Sequence, residues 1–321
     1  MQKDESNDLG LRDKVVVITG ASSGFGRGAA MKFCKAGAAV VLAARRDHLL
    51  SEPETACLGA SGGRDVGAPD APAARTARGG RAVHCDVTRP EDVEAVYRLA
   101  IAEFGRLDVW VNNAGIGALG PFIDVPMADH EQVVRTNLLG TLYGSWLALR
   151  HFRAQGHGIL INVASILGKV PSPYYHSYVA SKHGVVGLSA SLRQELEEEG
   201  LADRIHVCTV MPAAFDTPWF DHAADFTGHD IHPEHAGDPD EVVDAIVRLA
   251  FAPEDEVPVG KDAASRIRQH RMMPDRTEHK QADRVHEQFM ENAPPAPATH
   301  GALFRPSPKG AGVRGNSTRH G

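Results

Sequence analysis

Short runs of β-branched and small apolar residues recur along the chain, each followed by a longer stretch with helical spacing. The first, KVVVITG (14–20), has no polar residue between its lysine and threonine, the pattern of a strand buried on both faces. A helical stretch follows (25–37), then AAVVLAAR (38–45), RAVHCDVT (81–88), LDVWVNNAG (107–115), GHGILINVAS (156–165) and RIHVCTVMP (204–212). After the third run, proline and acids open a helix in PEDVEAVYRLAIAEFG. Strands alternating with helices predict an open, doubly wound, mostly parallel sheet, a three-layer α/β/α single domain over residues 1–260.

Three segments depart from the alternation. Residues 51–80 mix Gly, Pro, Ala and Arg without apolar periodicity, and a flexible surface insertion is expected there. Residues 261–291 are charged, with a possible helix carrying Ile267, Met272, Val285 and Phe289 as scattered apolar contacts. Residues 292–321 are rich in Pro, Gly and Ala and read as a disordered tail. From 261 onward there are eleven Lys/Arg against six Asp/Glu, so a body of about −12 carries a tail of about +5. A solvated tail is the plain reading, and docking to a membrane or partner the alternative.

Composition narrows the class. The 321 residues are 42% hydrophobic, enough to bury a full core. A net charge of −7 argues against nucleic acid as a partner. The N-terminus lacks an apolar signal core, and no run approaches the ~18 apolar residues of a membrane span. The four cysteines (34, 57, 85 and 208) form no CxxC pair, so free thiols in a reducing cytosol are expected. These features point to a cytoplasmic protein without stable membrane insertion.

The first strand runs directly into TGASSGFG (19–26), whose last glycine opens a helix. A glycine-rich turn between strand and helix lets a phosphate approach the backbone, and the helix's free N–H groups favour an anion. Gly20, Ser22, Ser23, Gly24, Phe25 and Gly26 are therefore candidate dinucleotide contacts. The second strand ends in Ala44, Arg45 and Arg46, where an acid would accept from the ribose hydroxyls of NAD. Two guanidiniums and no acid favour the 2′-phosphate of NADP(H), with NAD(H) still possible. Asp86, followed by Val87, is placed to meet the adenine amino group or to cap a helix. The NNAG run puts Asn113, Ala114 and Gly115 at the carboxyl end of the fourth strand, where ligands of open α/β sheets collect.

These motifs, a serine thirteen residues before Tyr178, and YVASK (178–182) together resemble the short-chain dehydrogenase/reductase family over roughly residues 10–260. The resemblance implies a Rossmann-fold oxidoreductase, usually a homodimer or homotetramer, with Asn137, Ser165, Tyr178 and Lys182 as catalytic set. It also implies that Tyr178 and Lys182 touch the cofactor, and that Pro212 and Thr217 line the nicotinamide. Residues at i and i+4 share a helix face, so Lys182 can sit beneath Tyr178. A nearby ammonium, with the positive nicotinamide ring of the oxidised cofactor, favours the phenolate and is expected to lower a tyrosine pKa from its usual ~10. Ser165 would hydrogen-bond the substrate oxygen, and Asn137 would hold a water that relays protons to Lys182. His176 and His183 flank this site as rim or surface residues, and Tyr174 and Tyr175 as pocket wall.

After the sixth strand the family's Pro-Gly is replaced here by Pro212-Ala213. The stretch 213–237 is the expected substrate lid, and its Trp219, Phe220 and Phe226 point to a hydrophobic carbonyl or alcohol substrate. His222, His229, His232 and His235 lack metal-ligand spacing and read as loop residues, so no metal is expected. Beside the NADP(H)-dependent reading stand an NAD-preferring alcohol dehydrogenase and a non-catalytic dinucleotide sensor or scaffold.

Overall fold

The computed structural model describes residues 11–60, 79–233 and 236–315. The core strands are β1 (Val15–Thr19), β2 (Ala39–Ala44), β3 (Gly80–His84) and β4 (Val109–Asn112). Between them run α1 (Gly24–Lys35), α2 (Ser51–Ala60) and α3 (Pro90–Phe104). A two-residue strand β5 (Ala118–Leu119) precedes α4 (Met127–Val134), α5 (Gly140–Gln155), β6 (Gly158–Val163), α6 (His176–Glu198) and β7 (Ile205–Pro212). The chain continues through α7 (Trp219–His222), β8 (Ala224–Asp225), α8 (Pro239–Leu249), β9 (Glu256–Val259), α9 (Ala263–Met272) and α10 (Pro274–His286).

Seven parallel strands form the main sheet in the order β3-β2-β1-β4-β6-β7-β9. The apolar runs lack polar alternation because both faces are covered. Val16 and Ile18 of β1 pack with Phe33 of α1 and Ile246 of α8. Val15 and Val17 pack on the other face with Val96 of α3 and Phe152 of α5. The predicted doubly wound parallel sheet is thus the observed one. The main-sheet strand missing from the sequence reading is β9, four residues including Pro258. It sits at the sheet edge, where a proline's missing N–H costs no ladder bond.

Three expectations are corrected. Part of the supposed insertion, Ser51–Ala60, is a helix rather than a flexible loop. It packs beside α1 and β3, and Cys57 is buried there; residues 61–78 lie outside the described residues. Cys57 and Cys34 are disulfide-bonded with Cα atoms 4.7 Å apart, so only Cys85 and Cys208 are free. The pairing of α1 with α2 brings together two cysteines whose spacing in sequence carries no motif.

The tail is the third. Residues 292–315 are ordered: Thr299 and Asp225 exchange two backbone bonds of 2.8 Å, and Ala302 N donates to His222 O at 2.7 Å. Ala302 and Leu303 are buried against Val125 and Val133. Extended backbone found partners on the lid, which low apolar content concealed. In the segment before it, α9 and α10 form, Val285 and Phe289 are buried, and Ile267 packs against the core. Met272, expected as an apolar contact, is instead exposed. No helix of the described residues is long and apolar enough to cross a membrane.

The cross-link is directly countable. Protein denatured without reductant should titrate two thiols and after reduction four, and Cys57→Ser should cost about 2–4 kcal/mol in urea unfolding. Four thiols before reduction would show that the bond is not formed.

Candidate active site

The site lies at the carboxyl edge of the sheet, beside the β1–β4 pair where the strand order reverses. Asn113 holds this point together: its backbone N donates to Thr19 Oγ1 at 3.1 Å and its Nδ2 to Thr19 O at 3.0 Å. Gly26 has to be glycine here, because a Cβ would come within 2.4 Å of Asn113 Nδ2 and 2.5 Å of Gly20 O. The glycine turn therefore serves internal packing as much as ligand approach. Asn112, next to it, is a buried clasp, accepting from Trp110 Nε1 and donating to Asn162 Oδ1 at 2.9 Å.

Gly20, Ser22, Ser23, Gly24 and Phe25 line one end of a cavity of about 330 Å³, as do Arg45, Arg46, Asp86, Val87, Asn113, Ala114 and Gly115. Gly26 lies behind this wall and is not part of it. Asp86 accepts from Thr88 N at 3.0 Å and Thr88 Oγ1 at 2.8 Å, closing a local turn at the cavity edge. The two arginines are engaged by the tail. Arg45 donates to Ala302 O and Leu303 O at 2.5 and 2.9 Å. Arg46 donates to Lys309 O at 2.8 Å, to Ser307 O and Gly310 O at 3.2 Å, and to Ser23 Oγ at 2.8 Å. At the start of α1, Gly24 N donates to Gly312 O at 2.9 Å. Burial lowers both guanidinium pKa values, and Asp86 opposes this at Arg45. Neither arginine has a carboxylate within 4 Å among the described residues.

Ser165, Tyr178 and Lys182 meet at the middle of the same cavity, and Pro212 and Thr217 border it. Ser165 follows β6, donating to Pro212 O at 3.3 Å and accepting from Leu167 N at 3.1 Å. Tyr178 and Lys182 lie one turn apart on α6, with the ammonium 5.6 Å from the phenol ring centroid. Lys182 is 4% exposed and donates to Val163 O at 2.8 Å. Desolvation brings its pKa down to about 8. Burial pushes the Tyr178 phenol up to about 12, with the Ser165 hydrogen bond opposing. The ammonium bonds a carbonyl rather than the phenol, so the expected depression is not built into the protein groups alone.

Asn137 is fully buried in a π-helical turn between α4 and α5. Its Oδ1 accepts from Ile116 N at 2.9 Å, and its Nδ2 donates to Ile116 O at 2.9 Å and Ser181 Oγ at 3.1 Å. No hydrogen bond joins it to Lys182. The two approach each other across Gly115, where an added Cβ would stand 3.5 Å from Lys182 Nζ and 3.6 Å from Asn137 Oδ1. Its side chain thus ties the turn at 135–139 to the segment following NNAG.

The substrate end is aromatic. Trp219 lies edge-on to Tyr178 with centroids 5.2 Å apart, and Tyr175 stacks on Trp219 at 6.5 Å. Residues beyond the expected domain complete this wall: Arg266 from α9, Gln281, Arg284 and Val285 from α10, then Gln288 and Phe289. Val285 and Phe289 were legible as apolar contacts, but their place at the cavity was not. His176 and His183 are not cavity residues; His176 packs edge-on to Phe122. His222 is, with its Nε2 2.8 Å from Lys309 O and 3.3 Å from Arg46 Nη1, while His232 faces Asp230. His235 lies outside the described residues.

The protein groups fit a nicotinamide dinucleotide. A buried ammonium with one hydrogen bond, two carboxylate-free guanidiniums and the α1 N-terminus border one groove. Similarity points the same way. The short chain dehydrogenase family model matches residues 14–226. The chain is 32% identical to an uncharacterized oxidoreductase, YxnA, of Bacillus subtilis, over 97% of this chain and 82% of that protein. It is 38% identical to momilactone A synthase of Oryza sativa over 65% of this chain and 69% of the relative. A metagenomic short-chain oxidoreductase solved with NADP superposes with TM-score 0.60 at 28% identity, covering 77% of this chain and 96% of that one. A Burkholderia phymatum protein solved with NAD shares the fold, with TM-score 0.68 at 23% identity over 83% of this chain and 95% of that one. With the parallel sheet, the glycine turn and the serine, tyrosine and lysine around one cavity, this chain belongs to the short-chain dehydrogenase family of NAD(P)-dependent oxidoreductases.

Proposed function

We propose that the protein is an NADP(H)-preferring reductase of an apolar or ring-bearing carbonyl compound. The observation that carries the reading is the shared cavity of Ser165, Tyr178 and Lys182 with Arg45 and Arg46 at one end and Trp219 and Tyr175 at the other. The dinucleotide, when bound, supplies a hydride to the carbonyl carbon or takes one from the alcohol. Tyr178 hands its proton to the oxygen as negative charge develops there, and Ser165 donates a hydrogen bond to that oxygen. Lys182 stabilises the phenolate left behind, an electrostatic interaction strengthened by burial. Asn137 acts through position, holding Ile116 and Gly115 against the ammonium. With its pKa raised to about 12 by burial, the phenol is protonated at neutral pH, the form that donates to a developing alkoxide.

An NAD-preferring alcohol dehydrogenase is the second reading, favoured by the tail's occupation of both arginines. Apolar side chains exposed on α5, Leu142 and Trp146, support assembly as a homodimer or homotetramer, which sedimentation velocity reads directly.

A thermal-shift titration with NADPH and NADH separates the two cofactors, since a ligand of the folded state raises the melting temperature. NADPH is expected to give the larger shift, and Arg45→Ala with Arg46→Ala to bring it down to that of NADH. A larger NADH shift in the wild type would reverse the preference. Tyr178→Phe should keep the NADPH shift while turnover of a ketone panel falls by roughly 10²–10⁴-fold. In the wild type, alcohol oxidation should rise with pH toward the phenol's titration while reduction does not. Near-normal turnover in Tyr178→Phe would remove the phenol from the mechanism.

A further inference from the structure

The outer wall of the substrate cavity holds two more arginines without a counter-charge. Arg266 Nη2 and Arg284 Nη2 both donate to Gln281 Oε1, at 3.2 and 2.8 Å. Gln281 is itself held by Ser172 Oγ at 3.3 Å. No carboxylate lies within 4 Å of either guanidinium among the described residues. Arg266 is half-buried, and its pKa is lowered first by desolvation and then by Arg284, with Asp262 opposing. One neutral amide oxygen serving two cations leaves most of their donors without an acceptor and neither charge paired with a carboxylate in contact.

We propose that Arg266 and Arg284 form an anion subsite, and that the substrate is an aromatic or alicyclic carbonyl compound bearing a carboxylate. The proposal rests on the oxidoreductase reading and adds the substrate's charge. The carbonyl end meets Ser165 and Tyr178, the ring lies along Trp219 and Tyr175, and the anion reaches the guanidinium pair in place of the shared amide. A fork of donors suits a carboxylate bidentately, whereas an ester offers only a neutral oxygen.

Matched acids and methyl esters test this: 4-formylbenzoate and 4-acetylbenzoate against their methyl esters, with NADPH. The acids should exceed the esters in kcat/KM by roughly tenfold or more. Arg266→Met and Arg284→Met should bring that ratio toward one. A merely structural arginine would lower both members of a pair and leave the ratio unchanged, which would overturn the subsite. Esters equal to or better than acids would overturn it too, as would no turnover of either while NADPH still raises the melting temperature. Absence of any NADPH or NADH shift would instead sink the oxidoreductase reading beneath it.

The tail carries a second, independent inference. Its carbonyl oxygens satisfy Arg45, Arg46 and the first amide of α1, the groups placed to take dinucleotide phosphates. Arg314 fastens its far end to Asp238 and Asp240 at 2.9 and 3.0 Å. His300 Nδ1 meets the buried Asp129 Oδ2 at 2.8 Å at the near end. We infer that residues 302–312 are an autoinhibitory latch, closed on the cofactor groove and displaced by the dinucleotide. Carbonyls are neutral and cannot match the arginines' charge, so a phosphate exchanges for them favourably.

Fluorescence titration with NADPH tests the latch, comparing the full chain with Gly310→Val and with a chain ending at Phe304. Gly310 has φ +68°, and a Cβ there would stand 2.5 Å from Pro218, so valine unseats the segment within the full-length protein. Both variants should bind NADPH at least several-fold more tightly, because less of the protein is in the closed form. Hydrogen exchange of residues 302–312 in the full chain should quicken on adding NADPH. Unchanged or weaker binding in the variants, or slower exchange with NADPH, would overturn the latch and make the segment a cover over bound cofactor.

Discussion

Everything at the active edge hangs on the junction of β1 and β4, where one side chain, Asn113, bonds the backbone of Thr19 and Gly20. Parallel strands cannot be joined by a tight turn, so their relative height is set by packing and by bonds such as these. Fixing that height places the glycine turn, the NNAG segment and the start of α1 around one groove. Asn112 continues the tie to Asn162 on β6, the strand that ends just before Ser165. A slip of one residue would turn both asparagines onto the wrong face and leave buried amides unpaired, a cost of several kcal/mol. The cofactor groove and the catalytic serine are therefore positioned by one polar seam inside an otherwise apolar sheet.

The second theme is positive charge kept without acids. Two arginine pairs border the cavity, Arg45 with Arg46 and Arg266 with Arg284, and Lys182 lies between them. Desolvation lowers the pKa of Arg45, Arg46, Lys182 and Arg266. Neutral oxygens from the tail and from Gln281 occupy them. Such partners hold geometry at small energetic cost to exchange, which suits sites whose true ligands come and go.

Much of this was legible in the sequence, and what was not had physical causes. Six of the main-sheet strands announced themselves as short β-branched and apolar runs followed by helical stretches. β9 did not, being four residues at an edge with a proline inside. The glycine turn, Ser165, Tyr178 and Lys182 carry their chemistry in residue type and spacing, so their convergence was foreseeable. The roles of Gly26 and Asn137 were seen only partly, because packing partners far along the chain define them. The Cys34–Cys57 bond depends on two helices meeting, which no spacing rule encodes. The tail was misread because its order comes from backbone carbonyls. Every residue has one, so composition cannot reveal where they find donors.

The position of these late segments in the chain has a consequence for biosynthesis. Domains begin to fold as the chain emerges, N-terminal parts first. The sheet through β7 can assemble, with its groove and catalytic trio, before α9, α10 and the tail leave the ribosome. During that interval the groove is bordered but unroofed, and the aromatic wall lacks Phe289. A nascent chain is thus able to meet dinucleotide before its own C-terminus competes for the same donors. Chains released into cofactor-poor surroundings would close first and load afterwards, so loading history enters the apparent activity of freshly made protein.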